Sequence, residues 1–172
     1  MDDETETIWD HIAGEAMHGE LTGTRLDVWP ITMSTVEAAL ANDPKLTLSR
    51  SDAKGLLGQI MGLIHRKIIG SRGFFPPGFR KTMGEIDTRL PEFTQGLGVV
   101  VDEKARFYVM NEIGDGIQDD WAGRTLSVRR NPIDRVPYAE WEDGSRPFQL
   151  FSRWYGFAFT FPGCDIYGHE NG

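Results

Sequence analysis

Hydrophobic and polar positions along the 172 residues of the chain follow two periods, and the shorter one dominates. Leu97 to Val101 is an apolar, β-branched run, Asp102-Glu103-Lys104 reads as a turn, and Arg106 to Met110 returns as the partner strand of a hairpin. Asp115-Gly116 marks a further turn, and Leu126 and Val128 alternate with polar neighbours, as on a half-buried strand. Phe157, Phe159 and Phe161 alternate with Ala158 and Thr160, which predicts a C-terminal strand ended by Pro162-Gly163. The first third reads as short strands and turns. Ile8-Trp9 is followed by Gly14, Gly19 and Gly23, too many glycines for a stable helix, and Leu26 with Val28 suggests a strand closed by Pro30.

The longer period predicts two helices. One spans about 34–42: Ser34 can cap it, Glu37 stands three residues on, and Pro44 disfavours its continuation. The other spans 52–70, between Asp52 as N-cap and Gly70 as the residue past its end. Its Leu56, Leu57, Ile60, Met61, Leu63, Ile64 and Ile68 share a stripe of roughly 160°, while Gly55, Gly58 and Gly62 cluster on its back. The class is therefore α+β, strand-dominated, built mainly from short antiparallel strands with two helices and no βαβ rhythm. One domain covers 1–172, with 50–81 inserted in it. Glycine supports short strands and tight turns: 20 of 172 residues is about 12%, against roughly 7% in ordinary proteins.

Charge narrows the partners. The net charge is −8, opposite to what neutralising phosphates requires, so nucleic acid is not expected as a ligand. The charge is unevenly spread. Residues 50–81 hold seven basic residues and one acid, +6, which leaves −14 on the rest. After the second helix, Arg72-Gly73-Phe74-Phe75-Pro76-Pro77-Gly78-Phe79-Arg80-Lys81 is a proline-fixed loop with phenylalanines between basic residues. The acidic start Met1–Glu6 is unlike a secretory signal, and no run of 18 apolar residues suggests a transmembrane helix. A soluble, cytoplasmic chain is the expectation.

Several blocks, in order, resemble one family. Trp9-Asp10-His11-Ile12-Ala13-Gly14-Glu15-Ala16-Met17-His18-Gly19-Glu20-Leu21-Thr22-Gly23-Thr24-Arg25-Leu26 is similar to the W-x4-G-x-A-x2-G-x-L-x-G-x2-L signature of the prokaryotic domain-of-unknown-function family 3179. Phe75-Pro76-Pro77, Asp87-Thr88-Arg89-Leu90-Pro91, Leu97-Gly98-Val99 and Ala105-Arg106-Phe107-Tyr108 resemble its middle blocks, and Phe157 to Tyr167 its aromatic C-terminal strand. The resemblance implies that this chain corresponds to the later half of a longer domain. The missing half would carry a histidine-acid-x-x-asparagine-aspartate block, and Gly114-Asp115-Gly116-Ile117-Gln118-Asp119-Asp120 has glycine where that block has histidine. The family has no settled activity, so the resemblance bears on fold more than on chemistry.

Three clusters could carry chemistry. His11, Glu15 and His18 have a spacing that on a helix would place two imidazoles and a carboxylate on one face, suited to zinc or iron. The glycines between them favour the plainer reading of surface histidines in a turn-rich segment. Asp115, Asp119 and Asp120, with Glu112 before them, could hold a hard cation or divide acid and base roles; solvated loop acids are the commoner arrangement. Cys164, the one cysteine, has no basic sequence neighbour to activate it and reads as a structural thiol. No G-x-S-x-G turn supports a serine nucleophile.

The basic segment is the most distinctive feature. Arg66, Lys67, Arg72, Phe74, Phe75, Phe79, Arg80 and Lys81 suit docking onto a protein surface, where phenylalanine and arginine act as anchors. The same residues suit a peripheral membrane contact with anionic headgroups. The expected function is a non-catalytic binding or assembly component that docks on a protein partner, or on itself, through 52–81. No cofactor is expected. The alternatives are a metal-assisted enzyme using the histidine and acidic clusters, and a membrane-surface contact.

Overall fold

The computed structural model describes residues 2–10, 12–27, 31–49, 78–82 and 84–169, with the backbone alone of Phe79 and Thr82. The helix expected at 52–70, Phe74, Phe75, His11 and the strand end at 28–30 lie outside the described residues. Within them the chain is α+β and strand-dominated, with antiparallel pairing everywhere except one short parallel pair.

Two packed sheets form the centre. The first has the order β8-β3-β4-β9, from β3 (Gln95–Val101), β4 (Lys104–Val109), β8 (Phe148–Arg153) and the parallel β9 (Asp165–Ile166). The second is the meander β5 (Ile117–Trp121), β6 (Arg124–Arg130) and β7 (Pro137–Trp141). Leu97, Val99 and Tyr108 of the first sheet pack against Ile117, Trp121, Leu126, Val128, Ala139 and Trp141 of the second. The opposite face of β3 and β4 is buried too, by Trp154, Phe157 and Ala158 with Leu90, Cys164 and Ile166. A strand covered on both faces needs no polar alternation, which explains the continuous apolar run at 97–101. Gly98 belongs to this second face: a Cβ there would lie 2.1 Å from the Phe157 ring. The bare backbone of β3 is what lets that ring approach.

The C-terminal strand expected at 157–161 is a helix instead. After α1 (Val36–Asn42) and the short α2 (Phe79–Thr82), α3 spans Trp154–Thr160. Trp154, Phe157 and Ala158 are buried along one stripe with Phe161 packed beside them, whereas Phe159 stands exposed. Spacings of three and four residues thus outweigh the alternation of two. No side chain caps the start of α3. Its first free N–H groups are satisfied from afar, Trp154 N donating to Thr94 O at 2.8 Å and Tyr155 N to Glu92 O at 3.0 Å. The cap of α1 also shifts by one residue: Thr35, not Ser34, accepts from Ala38 N, and Ser34 turns to Asp134.

The first third holds β1 (Ile8–Trp9) and β2 (Ala16–His18), an antiparallel pair joined by a turn in which Asp10 accepts the N–H groups of Ile12 and Ala13. Gly19, at φ +106°, lies so close to Glu6 and Thr7 that a Cβ would stand 2.6 Å from their backbone. Among the described residues of this pair and its flanks, only Thr7 and Ala16 are buried.

Candidate functional site

The buried polar residues are the place to look for chemistry, because burial of an acid requires compensation. Asp119 is 8% exposed and sits in β5 between Ile117 and Trp121, all three facing the other sheet. This corrects the loop reading of the acidic cluster: Asp119 and Asp120 are strand residues on opposite faces, and Asp115 stands exposed in the preceding turn.

On the facing sheet, Arg106 and Tyr108 of β4 share one face by the two-residue period of the strand. Asp119 Oδ2 accepts from Tyr108 Oη at 2.6 Å and from Arg106 Nη1 at 2.7 Å. Arg106 Nη2 donates to Asp165 Oδ2 at 3.2 Å, and its guanidinium lies 4.9 Å from the centre of the Trp121 ring. Tyr108 stacks on Tyr167, ring centres 5.3 Å apart. Three strands, β4, β5 and β9, are thereby fastened at one point.

The electrostatics follow from this packing. Burial opposes the charge of Arg106, but the bonds to Asp119 and Asp165 outweigh it and hold the guanidinium more firmly protonated than usual. Burial, then the hydrogen bond to Asp119, pushes the Tyr108 phenol far above its ordinary range. Tyr108 is therefore a donor and not a base at neutral pH, and Arg106 is already matched by two carboxylates. A cleft of about 270 Å³ lies alongside, lined by Arg106, Asp165, Tyr167 and His169 among others. His169 Nε2 lies 3.4 Å from Glu112 Oε2 at its rim.

A second clasp explains Asp87-Thr88-Arg89. Arg89 Nε and Nη2 both donate to Asp87, Nη2 also donates to Cys164 O at 2.8 Å, and the guanidinium lies 5.4 Å from the Trp154 ring centre. Trp154 Nε1 donates to Asp87 O at 2.9 Å. The clasp fixes α3 and the turn after it to the loop before β3. Cys164 is buried, and desolvation pushes its thiol up to about 11, which suits packing rather than nucleophilic attack.

The remaining sequence candidates are dispersed. Glu15 pairs with Arg25 at 3.0 Å, and His18 stands exposed on β2. Among the described residues, no group of three or more histidine, cysteine or acidic side chains could hold a metal. Arg80 pairs with Glu92 at 2.6 Å and Lys81 is exposed, while Arg66, Lys67 and Arg72 lie outside the described residues. Among the described residues, no helix is long and apolar enough to cross a membrane. Sequence reasoning missed Arg106, Tyr108 and Asp165 as a site. The available signal was an acid at the inward position of Ile117-x-Asp119-x-Trp121.

Comparison with protein families, with curated proteins and with solved structures finds no match.

Proposed function

We propose that this chain is a binding or assembly component that docks on a protein partner or on further copies of itself, with residues 52–81 as its contact segment. One observation carries the reading. Between residues 8 and 48, Ile8, Met17, Leu26, Ile31, Met33, Val36, Leu46 and Leu48 are all exposed, Ile31 to 85%. Single exposed apolar residues are ordinary; eight of them along one stretch support a reading in which another molecule covers some of them. The buried polar clusters support the same reading, since their groups bond to one another, Arg106 and Tyr108 to Asp119 between the sheets and Arg89 to Cys164 O beside α3. The proposed kinship with family 3179 rests on the ordered blocks. In those blocks Gly14, Gly19 and Gly23 adopt positive φ, and Asp87 with Arg89 forms a clasp.

Sedimentation velocity of the full chain, together with co-purification from its native source, tests the proposal. Self-association or a stoichiometric partner is expected, abolished by deletion of 54–81. Association unchanged by the deletion would overturn the contact assignment. A lone monomer in both experiments would overturn the function.

A further inference from the structure

The segment Trp154-Tyr155-Gly156-Phe157-Ala158-Phe159-Thr160-Phe161 is folded against its own composition. Five of its eight residues are aromatic, none is charged and none is proline. Aromatic residues and threonine favour strands and form helices poorly, and Gly156 weakens a helix further. A helix of seven residues is also too short to hold in water by itself. α3 holds because of what surrounds it. Trp154 N and Tyr155 N donate to Thr94 O and Glu92 O, and Trp154 Nε1 donates to Asp87 O. Arg89 ties Asp87 to Cys164 O just past the helix end, and the rings of Trp154 and Phe157 pack against Phe107.

The alternative conformation is already prepared. β8 runs into α3 with no residue between them, Arg153 ending the one and Trp154 opening the other. Extended, the segment would prolong β8, with Phe157, Phe159 and Phe161 on one face and Ala158 and Thr160 on the other. Its ends carry Arg153 and Pro162, a charge and a proline of the kind that flank stretches prone to stack as strands. β3 is uncharged too, but β4 and β8 pair with it on both sides, so its release requires both ladders to part. α3 is fastened by the clasp and its ring contacts, and a local opening releases it.

We infer that residues 154–161 are a helix-to-strand switch, helical while the Asp87–Arg89 clasp is closed and extended once it opens, when the segment stacks in register on the same segment of other copies. Identical uncharged rows meet no like-charge repulsion in such a stack, and their aromatic rings add to the backbone bonds between chains. Two packings of one sequence then compete, and the contacts of Asp87 and Arg89 decide between them. The switch is independent of docking through 52–81.

Thioflavin T fluorescence of full-length variants, followed by hydrogen exchange of the fibrils formed, tests it. Arg89→Ala opens the clasp and should form fibrils with a lag roughly tenfold shorter than wild type, the scale of one lost charge-assisted bond. Exchange should find residues 154–161 in the protected core. Asp87→Asn serves as the milder opening if Arg89→Ala does not fold. Phe159 is exposed in the folded chain, so Phe159→Lys leaves α3 in place while putting a charge on every rung of the stack. Added to Arg89→Ala, it should restore at least the wild-type lag. Leu126→Ala, which weakens the core between the sheets and leaves the clasp alone, is the control, compared at urea concentrations that leave the variants equally folded. Any one of four results would overturn the inference: no fibrils from either clasp variant, a protected core that excludes 154–161, a lag unaffected by Phe159→Lys, or equal acceleration by Leu126→Ala.

Discussion

Gln149 treats Ala139 as a neighbouring strand would. Its Nε2 donates to Ala139 O at 2.9 Å and its Oε1 accepts from Ala139 N at 2.6 Å. Ala139 lies on β7, an edge of the second sheet, and Gln149 on β8, an edge of the first. One amide thus closes a strand edge and joins the two sheets, where free N–H and C=O groups would otherwise invite another chain.

Replacing Gln149 by Leu keeps much of the volume and removes both bonds. Two part-buried backbone groups are left without partners, at about 1–3 kcal/mol for each unsatisfied group. Urea unfolding should show a lower midpoint with unchanged slope, and the variant should aggregate more readily. A wild-type midpoint would mean that solvent already serves Ala139.

Asp119→Asn keeps the shape of the buried acid and removes its charge. Arg106, with a side chain only 20% exposed, then retains Asp165 as its charged partner. A loss of about 3 kcal/mol is expected in chemical denaturation. Asp120→Asn, on the outer face of the same strand, should change stability by less than about 0.5 kcal/mol. Equal effects at the two positions would contradict the inward role of Asp119.

These residues show what could be read from the sequence. The β3–β4 hairpin was legible because an apolar β-branched run and turn residues mark it, and β6 because Leu126 and Val128 alternate with polar neighbours. α3 was not legible. Trp154, Phe157 and Phe161 satisfy a helical period while Phe157, Phe159 and Phe161 satisfy a strand period, and the bonds that start the helix come from Glu92 and Thr94, about sixty residues away. The candidate site was half legible for the same reason. Asp119 could be placed inward by its neighbours, but Arg106 and Asp165 meet it only through pairing between distant strands. Composition and spacing say nothing of such pairing.

Two glycines should respond oppositely to alanine. At Gly98 the new methyl would collide with the Phe157 ring, and overpacking of this kind costs about 1–3 kcal/mol. At Gly156, within α3, a Cβ meets nothing within 4 Å, and alanine should stabilise the helix by about 0.5–1 kcal/mol. Thermal unfolding of both variants checks the pair, and Gly98→Ala should be partly rescued by Phe157→Leu. Stabilisation by Gly98→Ala would refute the close approach of ring and strand.

Acid should act through Asp87. The hydrogen bonds from Arg89 hold its carboxyl below the ordinary 3.8 despite partial burial. A folded pKa below the unfolded one contributes stability above the unfolded value, and that contribution is lost as the pH falls through the folded value. The wild-type chain should therefore lose more stability than Asp87→Asn as the pH falls below the ordinary carboxyl value, measured as urea midpoints at each pH. Parallel curves would show that Arg89 holds the carboxyl no differently in the folded and unfolded chains.

Asp119 carries one more consequence, for alignment. Side chains of a strand alternate between faces, so sliding β5 by one residue against β6 would turn Asp119 to water and bring Gln118 and Asp120 between the sheets. Ile117 and Trp121 would leave the interior in the same movement, and Arg106 would lose its bond to Asp119 and its contact with the Trp121 ring. Many strands have a misaligned state only slightly worse than the correct one. In β5 the misaligned state exposes Ile117 and Trp121 and buries Gln118 and Asp120 in their place, so the strand's own pattern holds Asp119 in its alignment.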